Sequence, residues 1–228
     1  MSERLKIGVM ASGSGTDLQS IIDACAAGKV PAAVALVISN KPDAYALERA
    51  RQHNIPAICI PVGKTGSPEW EDADARQVEA FREHGVQLVC MAGYMRKIGP
   101  RLLAAFPGAI MNIHPALLPA FPGVEVQWDA VAYGVKIAGA TVHFADAEFD
   151  RGPIVIQAAV VVQDDDDGQA LAQRILAQEH RIYPQAVKWF AEGRLQVEGR
   201  KVRLLDPQPG GPPQIPGVII SPPLEEGF

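Results

Sequence analysis

The sequence predicts an α/β fold: a doubly wound, mostly parallel sheet with an antiparallel hairpin at its edge. Three observations indicate this class. Short apolar runs alternate with helix-length segments in the first half, two longer apolar runs then follow each other with no helix between them, and a long helical stretch comes next. Strands of a parallel sheet form continuous apolar runs because helices cover both faces of the sheet.

The parallel strands are expected at the apolar runs before position 114. They are Leu5–Met10, Ala33–Ile38, Ala57–Ile60, Gln87–Ala92 and Ala109–Ile113. Segments rich in helix formers separate them, and these are Asp17–Ala27, Ala44–Gln52 and Glu69–His84.

The second half begins with the predicted hairpin. Val135–Phe144 and Pro153–Val162 are joined by the short segment Ala145–Gly152, which favours antiparallel pairing. The helical stretch Gln169–Glu192 follows, with a bend expected at Pro184 because proline removes a helix hydrogen bond.

We predict a single domain over residues 1–205 and a Pro-rich C-terminal tail over residues 206–228. The tail contains seven prolines in 23 residues. Proline lacks the amide donor that helices and central strands need, so the tail is expected to be extended and dispensable for folding. Val218–Ile220 is the one apolar patch in it, and docking of this patch on a sheet or a neighbour stays open.

Composition excludes several classes of protein. The chain has 21 Lys and Arg against 26 Asp and Glu, a net charge of −5, which argues against a basic nucleic-acid-binding face. No apolar run approaches the length of a membrane span. The three cysteines lie far apart, and no His or Cys pair has metal-ligand spacing, so we expect a cytoplasmic protein without a metal.

The first strand runs into a glycine-rich loop, Ala11–Leu18, and a helix follows. Small residues before a helix N-terminus let backbone amides bind an anion. A dinucleotide is disfavoured because Leu18 stands where the third glycine of the fingerprint belongs and no acidic residue follows the second strand. The loop therefore predicts a monophosphate site, with a mere connecting turn as the alternative. We expect Asp17 to cap the helix rather than face the phosphate.

Polar residues mark the end of the fifth strand. Asn112 and His114 lie on one face of that strand, at the carboxyl edge where ligands bind in open α/β sheets. Asp150 lies at a tight turn after the hairpin's first strand and could orient a histidine or simply make the turn. The alternative is that these polar side chains have no catalytic role and only satisfy hydrogen bonds at the strand end.

Six segments carry a resemblance to a known family. They are ASGSGTDLQSIIDA, LVISNKPDAYALERA, MAGYMRKIGP, NIHPALLPAFPG, GATVHFADAEFDRGPIVIQAAV and QEHRIYP. In this order they resemble the phosphoribosylglycinamide formyltransferases of purine biosynthesis, over roughly residues 5 to 205. The resemblance implies a formyltransferase-type Rossmann-like fold and transfer of a formyl group from 10-formyltetrahydrofolate, a co-substrate, to the amine of glycinamide ribonucleotide.

The resemblance also implies roles for individual residues. Those matching the family's catalytic groups are Asn112, His114 and Asp150. Those matching the ribonucleotide contacts are Gly15, Thr16, Asp17 and Glu179. Those matching the folate pocket are Met95, Arg96, Lys97, Ile98, Asn112, Asp146, Ala147, Glu148, Phe149 and Asp150.

Three departures from the family pattern stand out: Asp17 replaces an Asn, Trp70 stands where some members place an Arg toward the folate, and Val124-Glu125 replaces Leu-His. Two other functions stay open, namely a formyltetrahydrofolate deformylase and a non-catalytic module that binds folate or ribonucleotide. No cofactor is expected to be tightly bound, no nucleic acid or membrane partner is expected, and a homodimer is left open.

Overall fold

The apolar runs of the N-terminal half form five strands. They are β1 (Leu5–Ala11), β2 (Ala32–Ser39), β3 (Ala57–Cys59), β4 (Leu88–Met91) and β5 (Ile110–His114). All neighbouring pairs are parallel, in the order β3-β2-β1-β4-β5. The computed structural model describes residues 4–148, 150–208, 211 and 215–228, and it divides into one compact unit up to Asn112 and a second from Ile113 onward.

Four helices connect the strands of the first unit. They are α1 (Thr16–Ala26), α2 (Tyr45–Gln52), α3 (Pro68–Glu83) and α4 (Pro100–Ala105). α1 buries Leu18, Ile21 and Ile22, whose spacing places them on one face of a helix. α3 begins where the Ser67 side chain accepts a hydrogen bond from the Trp70 amide at 3.3 Å. α4 is not among the helices predicted from the sequence, and it is only six residues long.

The second unit contains the predicted hairpin and the long helix. Its elements are α5 (Val126–Tyr133), β6 (Ile137–Phe144), β7 (Ile154–Val161), α6 (Gly168–Ala191), β8 (Leu195–Glu198), β9 (Lys201–Leu204) and β10 (Val218–Ser221). β6 and β7 pair antiparallel, as predicted. Asp167 caps α6 by accepting a hydrogen bond from the Ala170 amide at 2.7 Å, and the helix continues past Pro184 to Ala191.

The C-terminal segment differs from the sequence prediction of an extended, dispensable tail. Val218–Ser221 pair antiparallel with β7 as strand β10. Leu224 and Glu225 are 5% and 6% exposed, and the Glu225 carboxylate lies among cationic and indole donors of the second unit. The prolines exclude a helix but flank a short apolar run that is free to pair. That residues 1–205 form a single domain stays a prediction.

Candidate active site

The loop between β1 and α1 has the backbone geometry that its glycines predict. Gly15 is the N-cap residue of α1, with φ 70° and ψ 32°, in the left-handed region that favours glycine. A Cβ at this position would lie 2.7 Å from the Cβ of Ala46 on α2. Both the backbone conformation and the packing of α2 therefore require glycine here.

The carbonyl groups of this loop are engaged by α2, whereas its amides are not. The Ala46 amide donates to the Gly13 carbonyl at 3.1 Å, and Arg49 Nε donates to the Ser14 carbonyl at 2.8 Å. Within the described residues, the amides of Gly13, Ser14 and Gly15 donate no hydrogen bond. The loop thus offers amide donors beside the positive end of α1, as an anion site requires.

Arg49 adds a cation to this loop and is not among the site residues predicted from the sequence. Its guanidinium lies 5.0 Å from the centre of the Tyr45 ring and donates through Nη1 to Gln19 Oε1 at 3.2 Å. Arg49 lies in one of the segments that carry the family resemblance, but no spacing rule connects it to the loop. Its role depends on the packing of α2 against α1, which the sequence does not reveal.

Asp17 does not cap the helix, contrary to the sequence expectation, because Gly15 occupies the N-cap position. Asp17 is instead the second helical residue and is 9% exposed. Burial raises the pKa of its carboxyl from 3.8 to about 7. A large share of Asp17 is therefore neutral near pH 7, which reduces its repulsion of an anion at the loop.

We expect the Asp17→Asn variant to be more stable than the wild type at neutral pH. The unfolded chain releases the Asp17 proton near pH 3.8 while the folded protein holds it until about pH 7, so wild-type stability falls between these values. The stability gain should reach at most about 4 kcal/mol above pH 7 and vanish in acid. Urea unfolding at several pH values measures it, with Asp23→Asn as the exposed control on the same helix. A gain that is independent of pH would contradict burial as the cause.

The segment Met95–Ile98, predicted to bind folate, forms hydrogen bonds with α3 and with the loop that precedes α3. The Arg96 guanidinium donates to the carbonyls of Val62, at 3.1 Å, and Gly63. Trp70 Nε1 donates to the Lys97 carbonyl at 3.0 Å. Trp70, the departure noted in the sequence, thus supports the backbone of this segment.

His114 and Asp150 are brought together in the second unit, 36 residues apart in sequence. His114 ends β5 and is 4% exposed, and its Nδ1 lies 3.6 Å from Asp150 Oδ2. Its Nε2 lies 2.7 Å from the carbonyl oxygen of Phe121, to which it donates a hydrogen bond. Asp150 adopts φ 54° and accepts a hydrogen bond from the Gly123 amide at 3.3 Å. The buried carboxylate therefore faces the imidazole nitrogen that would carry the second proton of an imidazolium.

A second histidine borders the same carboxylate. His143 Nε2 lies 3.8 Å from Asp150 Oδ1, and His143 Nδ1 donates to the Phe144 carbonyl at 2.9 Å. Burial lowers the pKa of His143, although the Phe144 carbonyl and Asp150 act in the opposite direction. The lowered pKa favours the neutral form of His143 near pH 7.

The other predicted site residues lie on β5, on the turn after β6 and on α6. Asn112 lies in β5, half-exposed, two residues before His114, and belongs to the first unit. In the turn after β6, Asp146 Oδ1 accepts a hydrogen bond from the Glu148 amide at 2.9 Å, while Phe149 lies outside the described residues. Glu179 is buried on α6, at 6% exposure.

Two further features bear on the predicted classes. In the part of the chain that the structure describes, no three His, Cys, Asp or Glu side chains are grouped as metal ligands would be. None of the described helices is long and apolar enough to cross a membrane.

The chain is similar to known formyltransferases along most of its length. The formyl transferase family model matches residues 5–187. A phosphoribosylglycinamide formyltransferase of Haemophilus influenzae is 43% identical over 194 residues, which cover 85% of this chain and 90% of the relative. One of Bacillus subtilis is 40% identical, covering 80% of this chain and 93% of the relative.

Solved structures give the same result. The crystal structure of glycinamide ribonucleotide transformylase 1 from Symbiobacterium toebii has a TM-score of 0.86 and 52% identity, covering 90% of this chain and 96% of that one. A formyltetrahydrofolate deformylase from Pseudomonas syringae has a TM-score of 0.83 but 27% identity, and the chain covers 67% of it. The predicted fold class, a mostly parallel α/β sheet with antiparallel strands at its edge, is confirmed.

Proposed function

The chain belongs to the phosphoribosylglycinamide formyltransferases, and we propose that its residues carry out that family's reaction. In this reaction the formyl group of 10-formyltetrahydrofolate passes to the amine of glycinamide ribonucleotide. The observation that carries the proposal is the buried His114–Asp150 pair at the carboxyl end of β5. Formyl transfer to an amine requires a group that stabilises negative charge on oxygen and moves protons between two nitrogens. A histidine beside a buried carboxylate is suited to both tasks.

The reaction begins when the ribonucleotide amine attacks the formyl carbon. A C–N bond forms, and the carbonyl electrons move to the oxygen, which becomes an oxyanion. His114 as an imidazolium and the Asn112 amide donate hydrogen bonds to this oxyanion, because alternation along β5 directs both side chains to one face. The oxyanion then replaces the Phe121 carbonyl as the acceptor for His114 Nε2.

Collapse of the intermediate breaks the bond between the formyl carbon and the folate nitrogen. The attacking nitrogen loses a proton and the departing folate nitrogen gains one, so the products are the formylated ribonucleotide and tetrahydrofolate. His114 assists this proton movement, and Asp150, 3.6 Å from Nδ1, orients the imidazole. The folate-derived donor acts as a co-substrate in this scheme.

The loop between β1 and α1 binds the phosphate of the ribonucleotide in this proposal. Its support is threefold: the amides of residues 13–15, which donate no hydrogen bond to any described residue, the positive end of α1, and the Arg49 guanidinium against the Ser14 carbonyl. Glu179 is proposed to contact the ribonucleotide, and Met95–Ile98 with the turn at residues 146–150 to contact the folate. A cytoplasmic location remains a prediction from the sequence, and the oligomeric state is left open.

The test is an assay of the purified chain with 10-formyltetrahydrofolate, with and without glycinamide ribonucleotide. We expect formyl transfer only when the ribonucleotide is present. Hydrolysis of the folate without it would support a deformylase, and binding of either ligand without turnover would support a non-catalytic module. Either result would contradict the proposal.

Glycinamide riboside, which lacks the phosphate, should be at least about 10²-fold poorer than the ribonucleotide in kcat/KM. The phosphate lies away from the reacting amine, so its binding energy can position that amine against the formyl carbon. Charge-assisted hydrogen bonds to the loop amides would be lost with it. Steady-state kinetics on both substrates measure the ratio.

The Gly15→Val variant should lose the same preference. A branched side chain at φ 70° strains the loop and collides with Ala46. Folate binding should survive, because its proposed contacts lie elsewhere, and this survival is the control for folding. Equal kcat/KM for riboside and ribonucleotide in the wild type would remove the loop from the mechanism.

A further inference from the structure

The Ser12 hydroxyl connects three segments of the first unit. It donates to Asn40 Oδ1 at 2.5 Å and accepts a hydrogen bond from the Met95 amide at 2.8 Å. The Ser12 amide donates to the Gly93 carbonyl at 3.0 Å. Ser12 therefore bonds to the chain after β2 with one atom and to the chain after β4 with two.

These bonds cannot pass to solvent, because Ser12 is only 4% exposed. A hydroxyl has one hydrogen to donate, and Ser12 gives it to Asn40 while its lone pairs serve Met95. Removing the hydroxyl leaves a backbone amide and a side-chain oxygen without this partner. Such groups keep their positions only while a partner fixes them.

The two segments that Ser12 joins are those proposed to hold the two substrates. Ser12 precedes the loop amides of the phosphate site, and Met95 is the first residue of the proposed folate-binding segment. The amine and the formyl carbon must meet at a reacting distance, and a misplacement of about 1 Å can cost about 10²-fold in rate. The reaction rate therefore depends on the relative position of the two segments.

We infer that Ser12 is a positioning residue, whose hydroxyl keeps the phosphate loop and the folate-binding segment in the relative position that the reaction needs. The inference rests on the proposed function. A positioning role differs from that of a serine that only stabilises the fold. A positioning role affects kcat, because each substrate still finds its own contacts while their mutual alignment is lost.

The chain offers a matched control in Ser39, at the end of the neighbouring strand β2. Ser39 is fully buried, and its hydroxyl accepts a hydrogen bond from the Lys41 amide at 3.1 Å. Ser39→Ala thus removes a buried hydroxyl at the same edge of the sheet without breaking a bond to the folate-binding segment. Both alanine variants should lose similar stability in urea unfolding.

We expect Ser12→Ala to lower kcat about tenfold while changing the KM of each substrate by less than about threefold. Ser39→Ala should keep kcat within about threefold of the wild type. If Ser12→Ala does not fold, the pair Ser12→Thr and Ser12→Cys replaces it. The first keeps a hydroxyl and should retain kcat, whereas the thiol of the second is a weak partner and should lose it.

Two outcomes would overturn the inference: a Ser12→Ala or Ser12→Cys enzyme with wild-type kcat, or equal losses of kcat in the Ser12 and Ser39 variants. Failure of the proposed function is distinguishable, because the wild type itself would then transfer no formyl group to glycinamide ribonucleotide.

Discussion

The His114→Ala and Asp150→Asn variants should each lose about 10²- to 10⁴-fold in kcat, the range that general acid–base groups contribute. His114 supplies the proton and the oxyanion contact, and Asp150 acts through it from 3.6 Å. Steady-state kinetics with saturating substrates measure the loss. His53→Ala, at the exposed end of α2, is the control and should retain full activity.

The double variant tests whether Asp150 acts through His114 or independently of it. Because Asp150 works through His114, the loss in the double variant should be smaller than the product of the two single losses. Fully multiplicative losses would mean that Asp150 acts on the reaction by another route, and near-wild-type kcat in both single variants would remove the pair from the mechanism.

Glu225→Ala should lower the free energy of unfolding by about 2 kcal/mol, because the buried Trp189 Nε1 loses its hydrogen-bond acceptor. Lys188 and Arg194 keep Glu192 as their remaining acidic partner. The carboxylate accepts hydrogen bonds from Lys188 Nζ at 2.7 Å and Trp189 Nε1 at 3.0 Å, and it lies 2.6 Å from Arg194 Nη1. Glu226→Ala, at the exposed neighbouring position, is the matched control and should change stability little. Urea unfolding of both variants makes the comparison.

The difference should depend on pH. Burial opposes ionisation of Glu225, but the hydrogen bonds from Lys188, Trp189 and Arg194 outweigh it and hold its pKa below the ordinary 4.5. The folded state therefore binds this proton less readily than the unfolded chain, and the stabilisation is complete above pH 4.5 and lost as the pH falls below it. A Glu225→Ala variant as stable as Glu226→Ala at pH 7 would show that the buried pair contributes nothing.

The first unit could be predicted from the sequence because its signals are local. A fully buried parallel strand must be apolar along its whole length, so β1 and β2 are expected at Leu5–Met10 and Ala33–Ile38 and found within one residue at each end. The antiparallel hairpin of β6 and β7 is also expected, from its short connection. His114 and Asp150 were predicted as site residues, and the structure brings them together.

The misses arise from contacts that no local pattern records. β10 lies in a Pro-rich segment, and only its pairing with β7 defines it as a strand. Glu225 stands in the stretch Leu224-Glu225-Glu226, where both acids look equally solvated, yet one is buried on Trp189 and the other is exposed. The hydrogen bonds that the side chains of Arg49 and Ser12 form likewise depend on how helices and strands pack.

The pairing of β10 with β7 has a consequence for how the chain avoids aggregation. In the described part of the chain, β9 pairs with β7 at Ile154 alone, so residues 157–160 present an open edge on this side until β10 covers them. An open edge of β-branched and small apolar residues can recruit strands from other molecules. Because β10 follows β7 by more than fifty residues, this edge stays unprotected during synthesis until Val218–Ser221 have emerged and docked. The C-terminal strand thus covers this edge of the sheet only late in synthesis. Truncated or incomplete chains should therefore self-associate even where their remaining elements fold.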